Sequence, residues 1–337
     1  MRLTKFAALI SVAALGLLVW ACVQRGDAQI SQMRGNQSRA DMARHQAAKA
    51  RADFVKAVTF DFIGDYQNAV PFYKKAAAQG DARAQNNLGL LYFHGRGVAQ
   101  NYAQAAHWWR QAAAQDMPQA LYNLGALYNL GLMQADGFDE AQNAKQAARL
   151  FEQAAELGLA AAQYNLAAFY AEGRGVARDY QTAALWYEKA AAQGDGDAQY
   201  NLGLLYAYGR GVTQSDEQAR ALWQSAAASG HAEAQYNLGL LYARGRGGAR
   251  DDAAAVAWYE KASRVLAQAQ NNLGFMYERG RGVAQNTAQA YFWVYLAASG
   301  HEQARRALPA LEKKLSAADM ANMQAKAQIW RRQQAAE

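Results

Sequence analysis

The chain has 337 residues, 52% hydrophobic, with 3 Pro, one Cys and a formal net charge of +7. Low proline content and abundant alanine favour helices, and a single cysteine excludes a disulfide framework or a cysteine-built zinc site. Residues 65–300 hold 19 Lys and Arg against 20 Asp and Glu, so the positive excess lies at the two ends; this argues against nucleic-acid binding, which needs cations clustered on one face.

At the amino end, Arg2 and Lys5 precede residues 6–23, a run without charge. A basic start before an apolar stretch is the layout of a secretory signal. Residues 1–23 are therefore expected to act as an export signal or membrane anchor. Val19-Trp20-Ala21-Cys22 resembles a bacterial lipobox, which makes Cys22 the lipidation candidate. Gly26-Asp27-Ala28 is a rival cleavage site, and the apolar run is also long enough to remain as a spanning anchor. The three outcomes share one expectation: a chain exported to the bacterial periplasm or cell envelope, tethered in two of them and released in the third. Residues 24–49, rich in Gln, Arg, Ala and Ser, read as a polar linker. Residues 50–64 read as an N-terminal packing helix.

From residue 65 the chain repeats itself. Asn-Leu-Gly with Tyr three residues later appears at Asn87, Asn123, Asn201, Asn237 and Asn272, and Asn165 begins a copy with Ala167 for Gly. The intervals between the central leucines, Leu88, Leu124, Leu166, Leu202, Leu238 and Leu273, are 36, 42, 36, 36 and 35 residues. The extra residues fall in 132–142, and the missing one near 263–267. A period of this size marks stacked supersecondary units. In the fourth copy a first helix is expected over 179–192, closed at Gln193-Gly194 by a left-handed glycine. Asp195 is placed to cap a second helix, whose packing face carries Ala198, Leu202, Leu205 and Tyr206. Gly209-Arg210-Gly211-Val212 then turns the chain into the next unit. Glycine inside a helix costs about 1 kcal/mol relative to alanine. Gly89, Gly125, Gly203, Gly239 and Gly274 therefore predict tight crossings with no room for Cβ.

The segment Ala183-Ala184-Leu185-Trp186-Tyr187-Glu188-Lys189-Ala190-Ala191-Ala192-Gln193-Gly194-Asp195 carries a pattern that resembles the Sel-one-like repeat, a relative of the tetratricopeptide repeat. The resemblance runs over 65–307 in six full copies and a partial seventh. It implies an all-α fold, a right-handed α-solenoid of about seven two-helix repeats, whose members act mainly as scaffolds and adaptors. Residues 308–337 are expected to cap the array, with Leu308, Leu311 and Leu315 on one stripe and Ile329 and Trp330 on another. Some cysteine-rich relatives are associated with β-lactam binding or hydrolysis through regularly paired cysteines. This chain lacks those pairs, so that activity does not carry over.

Chemistry-bearing motifs are sparse. The five histidines include no metal-ligand spacing, and the Gly-x-Gly motifs lie between helices rather than after a strand. No catalytic residue, cofactor or metal is expected. The recurrent asparagines read as satisfying backbone groups of their own turns. Arg96, Arg174, Arg210, Arg246 and Arg281 occupy one turn position and would form a ladder, suited either to carboxylates and phosphates or to pairing with acids such as Glu172 and Glu278. The residue after each aromatic pair varies: Lys74, Arg110, Glu152, Glu188, Gln224, Glu260 and Tyr295. Varied charge at one position suits a tailored partner-binding face. The expectation is a monomeric, non-enzymatic scaffold binding a protein or peptide through its concave face. The alternative readings are an immunity-type inhibitor of a partner enzyme and, further off, a hydrolase.

Overall fold

The computed structural model describes residues 39–132 and 139–336, with 32, 36 and 37. The signal or anchor segment with Cys22, most of the linker and the middle of the 132–142 insertion lie outside these residues. The described residues form helices and turns only. No described helix is long and apolar enough to cross a membrane.

Helix α1 covers 39–62 and thus begins well before residue 50. Seven helix pairs follow: α2 (Tyr66–Ala78) with α3 (Ala82–His94), α4 (Tyr102–Ala113) with α5 (Pro118–Asn129), α6 (Glu140–Glu156) with α7 (Ala160–Glu172), and α8 (Tyr180–Ala192) with α9 (Gly196–Tyr208). Then come α10 (Asp216–Ala228) with α11 (Ala232–Arg244), α12 (Asp252–Ala262) with α13 (Ala267–Arg279), and α14 (Thr287–Ala297) with α15 (Glu302–Glu312); α16 (Ala317–Ala336) closes the chain. The expected C-terminal cap thus divides: Leu308 and Leu311 belong to the last pair, and α16 follows it alone. The chain forms two compact units, up to Ala120 and from Leu121.

Local chemistry starts each pair. Asp65, Asn101, Asp139, Asp179, Ser215, Asp251 and Asn286 precede the seven first helices, and each side chain accepts an amide of the opening turn. These bonds satisfy donors that a helix start leaves unpaired. The second helices α3, α7, α9, α11 and α13 end at Gly95, Gly173, Gly209, Gly245 and Gly280, all left-handed. The next turn glycine also has a positive φ, and a Cβ on Gly211 would strike the Tyr180 backbone of the preceding first helix. Glycine is thus required both for conformation and for approach.

In the first unit, α1 behaves as the second helix of an incomplete pair. Gln79 donates to Asp53 at 3.1 Å, as Gln115 does to Gln85 at 2.8 Å. On that register Lys56 and Thr59 stand where Leu88 and Leu91 are buried, and both are exposed. Lys56 and Thr59 make α1 more polar at these two positions than α3, although Val55, Val58 and Phe62 of the same helix are exposed as well. In the second unit, α16 seats Met323 and Ala327 against Ala290, Tyr291, Val294 and Ala297 of α14. Gln324 donates to the Tyr291 hydroxyl at 2.7 Å.

Candidate partner-binding face

Each first helix carries three consecutive side chains with different fates. In the fourth pair these are Trp186, Tyr187 and Glu188. The second of the three is buried: Tyr73, Trp109, Phe151, Tyr187, Trp223 and Tyr259 are each at most 4% exposed. This residue lies on the small residue of the preceding second helix. A Cβ at Gly89 would strike Trp109, one at Gly203 would strike Trp223, and one at Gly239 would strike Tyr259. The expected lack of room for Cβ holds: at these positions a ring takes the space, and at Gly274 the Val294 side chain and the Ala290 carbonyl do. The indole N–H groups of Trp109 and Trp223 donate to the Asn86 and Tyr200 carbonyls at 3.1 and 3.0 Å.

The first of the three is half-buried in every pair, and in the first, fourth and sixth pairs a lysine three residues on lies over its ring. Lys189 lies 3.8 Å from the Trp186 ring centroid and Lys261 lies 4.1 Å from that of Trp258. These tryptophans are therefore covered by the chain's own cations.

The third is the variable residue. Lys74, Arg110, Glu152, Glu188, Gln224 and Glu260 are exposed and Tyr295 is half-buried. Lys74 and Gln224 each meet a tyrosine of their second helix, and Tyr295 stacks on Tyr291 with ring centroids 5.8 Å apart. Lys74 lies 5.9 Å from the Tyr92 ring, Gln224 donates to the Tyr242 hydroxyl at 3.3 Å, and Arg331 of α16 stands 5.7 Å from the Tyr295 ring. Burial, then the Glu152 and Asp179 carboxylates, push the Tyr170 pKa up. Burial and then Glu260 do the same to Tyr277. Among the described residues Glu152, Glu188 and Glu260 make no ion pair, whereas Asp216, Asp252 and Glu278 are each held by a cation.

The arginine ladder is largely engaged within the chain. Arg246 grips Asp216 at 2.6 and 2.8 Å. Arg281 grips Asp252 at 2.7 and 3.2 Å and donates to the Ala243 carbonyl at 3.0 Å. Hydrogen bonds from Arg281 and Arg250 hold the Asp252 carboxyl well below the usual carboxylate range. Arg96 and Arg210 stand 5.5 and 5.7 Å from the Tyr66 and Tyr180 rings. Arg174 donates to Asn129 at 2.5 Å and lies 3.6 Å from Glu172. Glu278, a possible partner by sequence, pairs instead with Lys314 at 2.8 Å. The rule is set at the first position of the first helix: Tyr there stacks on the arginine, and Asp there grips it.

The asparagine row is structural in part as expected. Asn165 and Asn201 donate to the Ala161 and Asp197 carbonyls at 2.8 and 3.0 Å, while Asn87 donates to the Tyr73 hydroxyl at 3.1 Å. Sequence reasoning missed the glutamine two positions earlier. Gln85, Gln163, Gln199, Gln235 and Gln270 donate to carbonyls at the end of their own first helix at 2.7–3.3 Å. Their recurrence before Asn-Leu-Gly was the available signal. Among the described residues no three His, Cys, Asp or Glu gather as metal ligands do.

Helix pairs of near-constant length, closed by the same caps and joined through the same glycine and ring positions, define an α-solenoid repeat protein. The Sel1 repeat pattern matches residues 63–81, 82–117, 118–159, 160–195, 196–231, 232–264 and 267–301. The chain belongs to the Sel1 repeat family. A Sel1 repeat protein from Oxalobacter formigenes is 32% identical, with a TM-score of 0.62, over 78% of this chain and 76% of that one. A protective antigen of uropathogenic Escherichia coli is 25% identical over 83% and 84% of the two chains, with a TM-score of 0.33. An immunity protein from Pseudomonas aeruginosa is 21% identical over 66% and 81%, with a TM-score of 0.37. No protein of curated function matches the chain. Sel1 repeat proteins are typically non-enzymatic scaffolds and generally mediate protein–protein interaction.

Proposed function

We propose that the chain is an exported, non-enzymatic scaffold that binds a protein or peptide partner along the face formed by the variable third residues. The supporting observation is the set of exposed carboxylates at Glu152, Glu188 and Glu260, which make no ion pair among the described residues, the last beside Tyr277 and the first beside Tyr170. Tyrosine is favoured at interfaces, and unpaired surface charge raises the rate of encounter with an opposite charge. In this reading residues 1–23 hold the array at the cell envelope, by lipid on Cys22 or by the apolar segment itself.

Cross-linking and affinity capture from the membrane fraction test the reading. The wild-type chain and a distant control, Lys326→Glu, are expected to retain one stoichiometric partner. Glu188→Lys with Glu260→Lys is expected to reduce its capture by roughly tenfold, the scale of steering by a few charges. Equal capture by all three chains would remove the site from this face. Turnover of a β-lactam by the purified protein would overturn the non-enzymatic reading.

A further inference from the structure

The fifth helix pair holds within the chain an occupant for a place that the fourth pair leaves open. In the fifth pair Arg220 of α10 lies with its guanidinium carbon 4.3 Å from the Tyr242 ring centroid, and its Nη1 donates to the Gly247 carbonyl at 3.2 Å. A Cβ on Gly248 would strike that same nitrogen. The repeats 160–195 and 196–231 are equal in length. Arg220, Tyr242, Gly247 and Gly248 therefore correspond to Ala184, Tyr206, Gly211 and Val212 in the fourth pair.

Ala184 ends at its Cβ and reaches over no ring. Around this place a cavity of about 360 Å³ opens, lined among others by Gln181, Thr182, Leu185, Glu188, Tyr206 and Val212. It adjoins a hollow of about 760 Å³ that shares Gln181, Tyr206, Gly211 and Val212. Glu188 occupies the position of Gln224 in the fifth pair and makes no ion pair among the described residues. The fourth pair thus presents a tyrosine ring and a carboxylate beside an open cavity, where its neighbour presents the corresponding ring already covered by a guanidinium.

We propose that this cavity receives the guanidinium of an arginine from the partner, placed over Tyr206 and paired with Glu188. The inference rests on the partner-binding reading of this face and names the partner's chemistry: a peptide segment bearing arginine. Arginine fits better than lysine, because a planar guanidinium stacks on a ring while its in-plane N–H groups donate to a carboxylate, whereas an ammonium meets a ring only as a point charge. Val212 forms one wall and takes up the space that Gly248 leaves for Arg220, so the incoming group approaches from the Leu185 and Glu188 side.

Saturation-transfer NMR on the full chain, with N-acetyl-L-arginine amide and N-acetyl-L-lysine amide as probes, tests the site. The arginine amide is expected to be saturated and the lysine amide only weakly. Glu188→Gln is expected to weaken the arginine amide by about two- to fivefold, the range of an exposed ion pair. Ala184→Arg with Val212→Gly copies the fifth pair and is expected to abolish binding. If that double variant does not fold, Arg220→Ala decides: uncovering Tyr242 is expected to increase the arginine-amide signal. Equal saturation by the two amides overturns the proposal. So does undiminished binding by a folded double variant, or no gain from Arg220→Ala. Capture of a partner that depends on Glu188 and Glu260 without arginine-amide binding would overturn this inference alone and leave the partner-binding face standing.

Discussion

Gly203 shows how one position can be conformationally costly in its own helix and required by its neighbour. The residue sits inside α9 and is buried, and Trp223 of α10 lies where a Cβ would project. The indole is also fixed by its bond to the Tyr200 carbonyl at 3.0 Å, so it cannot move aside freely. A larger residue must displace a ring that is itself fully packed. Gly203→Leu is expected to destabilise the protein by about 1–3 kcal/mol, the usual scale of overpacking. The thermal midpoint should fall by several degrees, and an unchanged melt would refute the ring-on-glycine contact. Ala167, which stands at this place before Tyr187, is itself fully buried, so Gly203→Ala should cost less. The small residue was legible in the sequence. The ring that demands it was not, because Gly203 and Trp223 lie on helices of successive pairs, and no spacing in the sequence shows which first-helix aromatic faces the glycine.

At the scale of the helix pair, two bonds decide where each pair begins and how its turn is held. The cap residue before each first helix fixes the start. The turn arginine then reaches back across the whole pair to that helix's first residue, as Arg281 does to Asp252. The Asp252 carboxyl binds its proton more weakly in the folded chain than in the unfolded one. Its contribution is therefore complete above the unfolded value near pH 4 and fades as the pH falls below that toward the lower folded value. Asp252→Asn is expected to lower stability at neutral pH and to flatten the loss between about pH 4 and pH 2. Chemical denaturation measured across this range checks it; parallel acid limbs for wild type and variant would refute the clasp. The same geometry shows why the ladder is a poor guide to partner contacts. Arg246 and Arg281 have their forks filled by Asp216 and Asp252, while Arg96 and Arg210 stand near tyrosine rings.

At the scale of the whole molecule, a solenoid's stability is approximately a sum over repeats and their neighbour contacts. Removing one repeat in phase should therefore shorten the array without unfolding it. Deletion of 196–231 joins Asp195 to Ala232, so the Asp195 cap would start α11 in place of His231, which now accepts the Ala234 amide at 3.2 Å. The shortened chain is expected to stay helical with a lower thermal midpoint. Deletion of 196–213 alone would set two first helices, α8 and α10, in succession and is expected to abolish the cooperative melt. Circular dichroism on heating separates the outcomes; equal behaviour of the two deletions would refute repeat-wise stacking.

The sequence by itself determined the helix pairs, their caps, their glycine stops and their family, because all of these follow from residues within one repeat length of each other. It also singled out the variable third residue, since only a comparison of copies is needed to find it. Tertiary structure decided which aromatic of each pair is buried, which arginines are already paired, and where a cavity stays open. Those outcomes depend on which side chains meet across a helix pair or between repeats. Ala184 and Arg220 occupy the same place in consecutive repeats, and only the folded chain shows that one leaves a tyrosine uncovered and the other covers it.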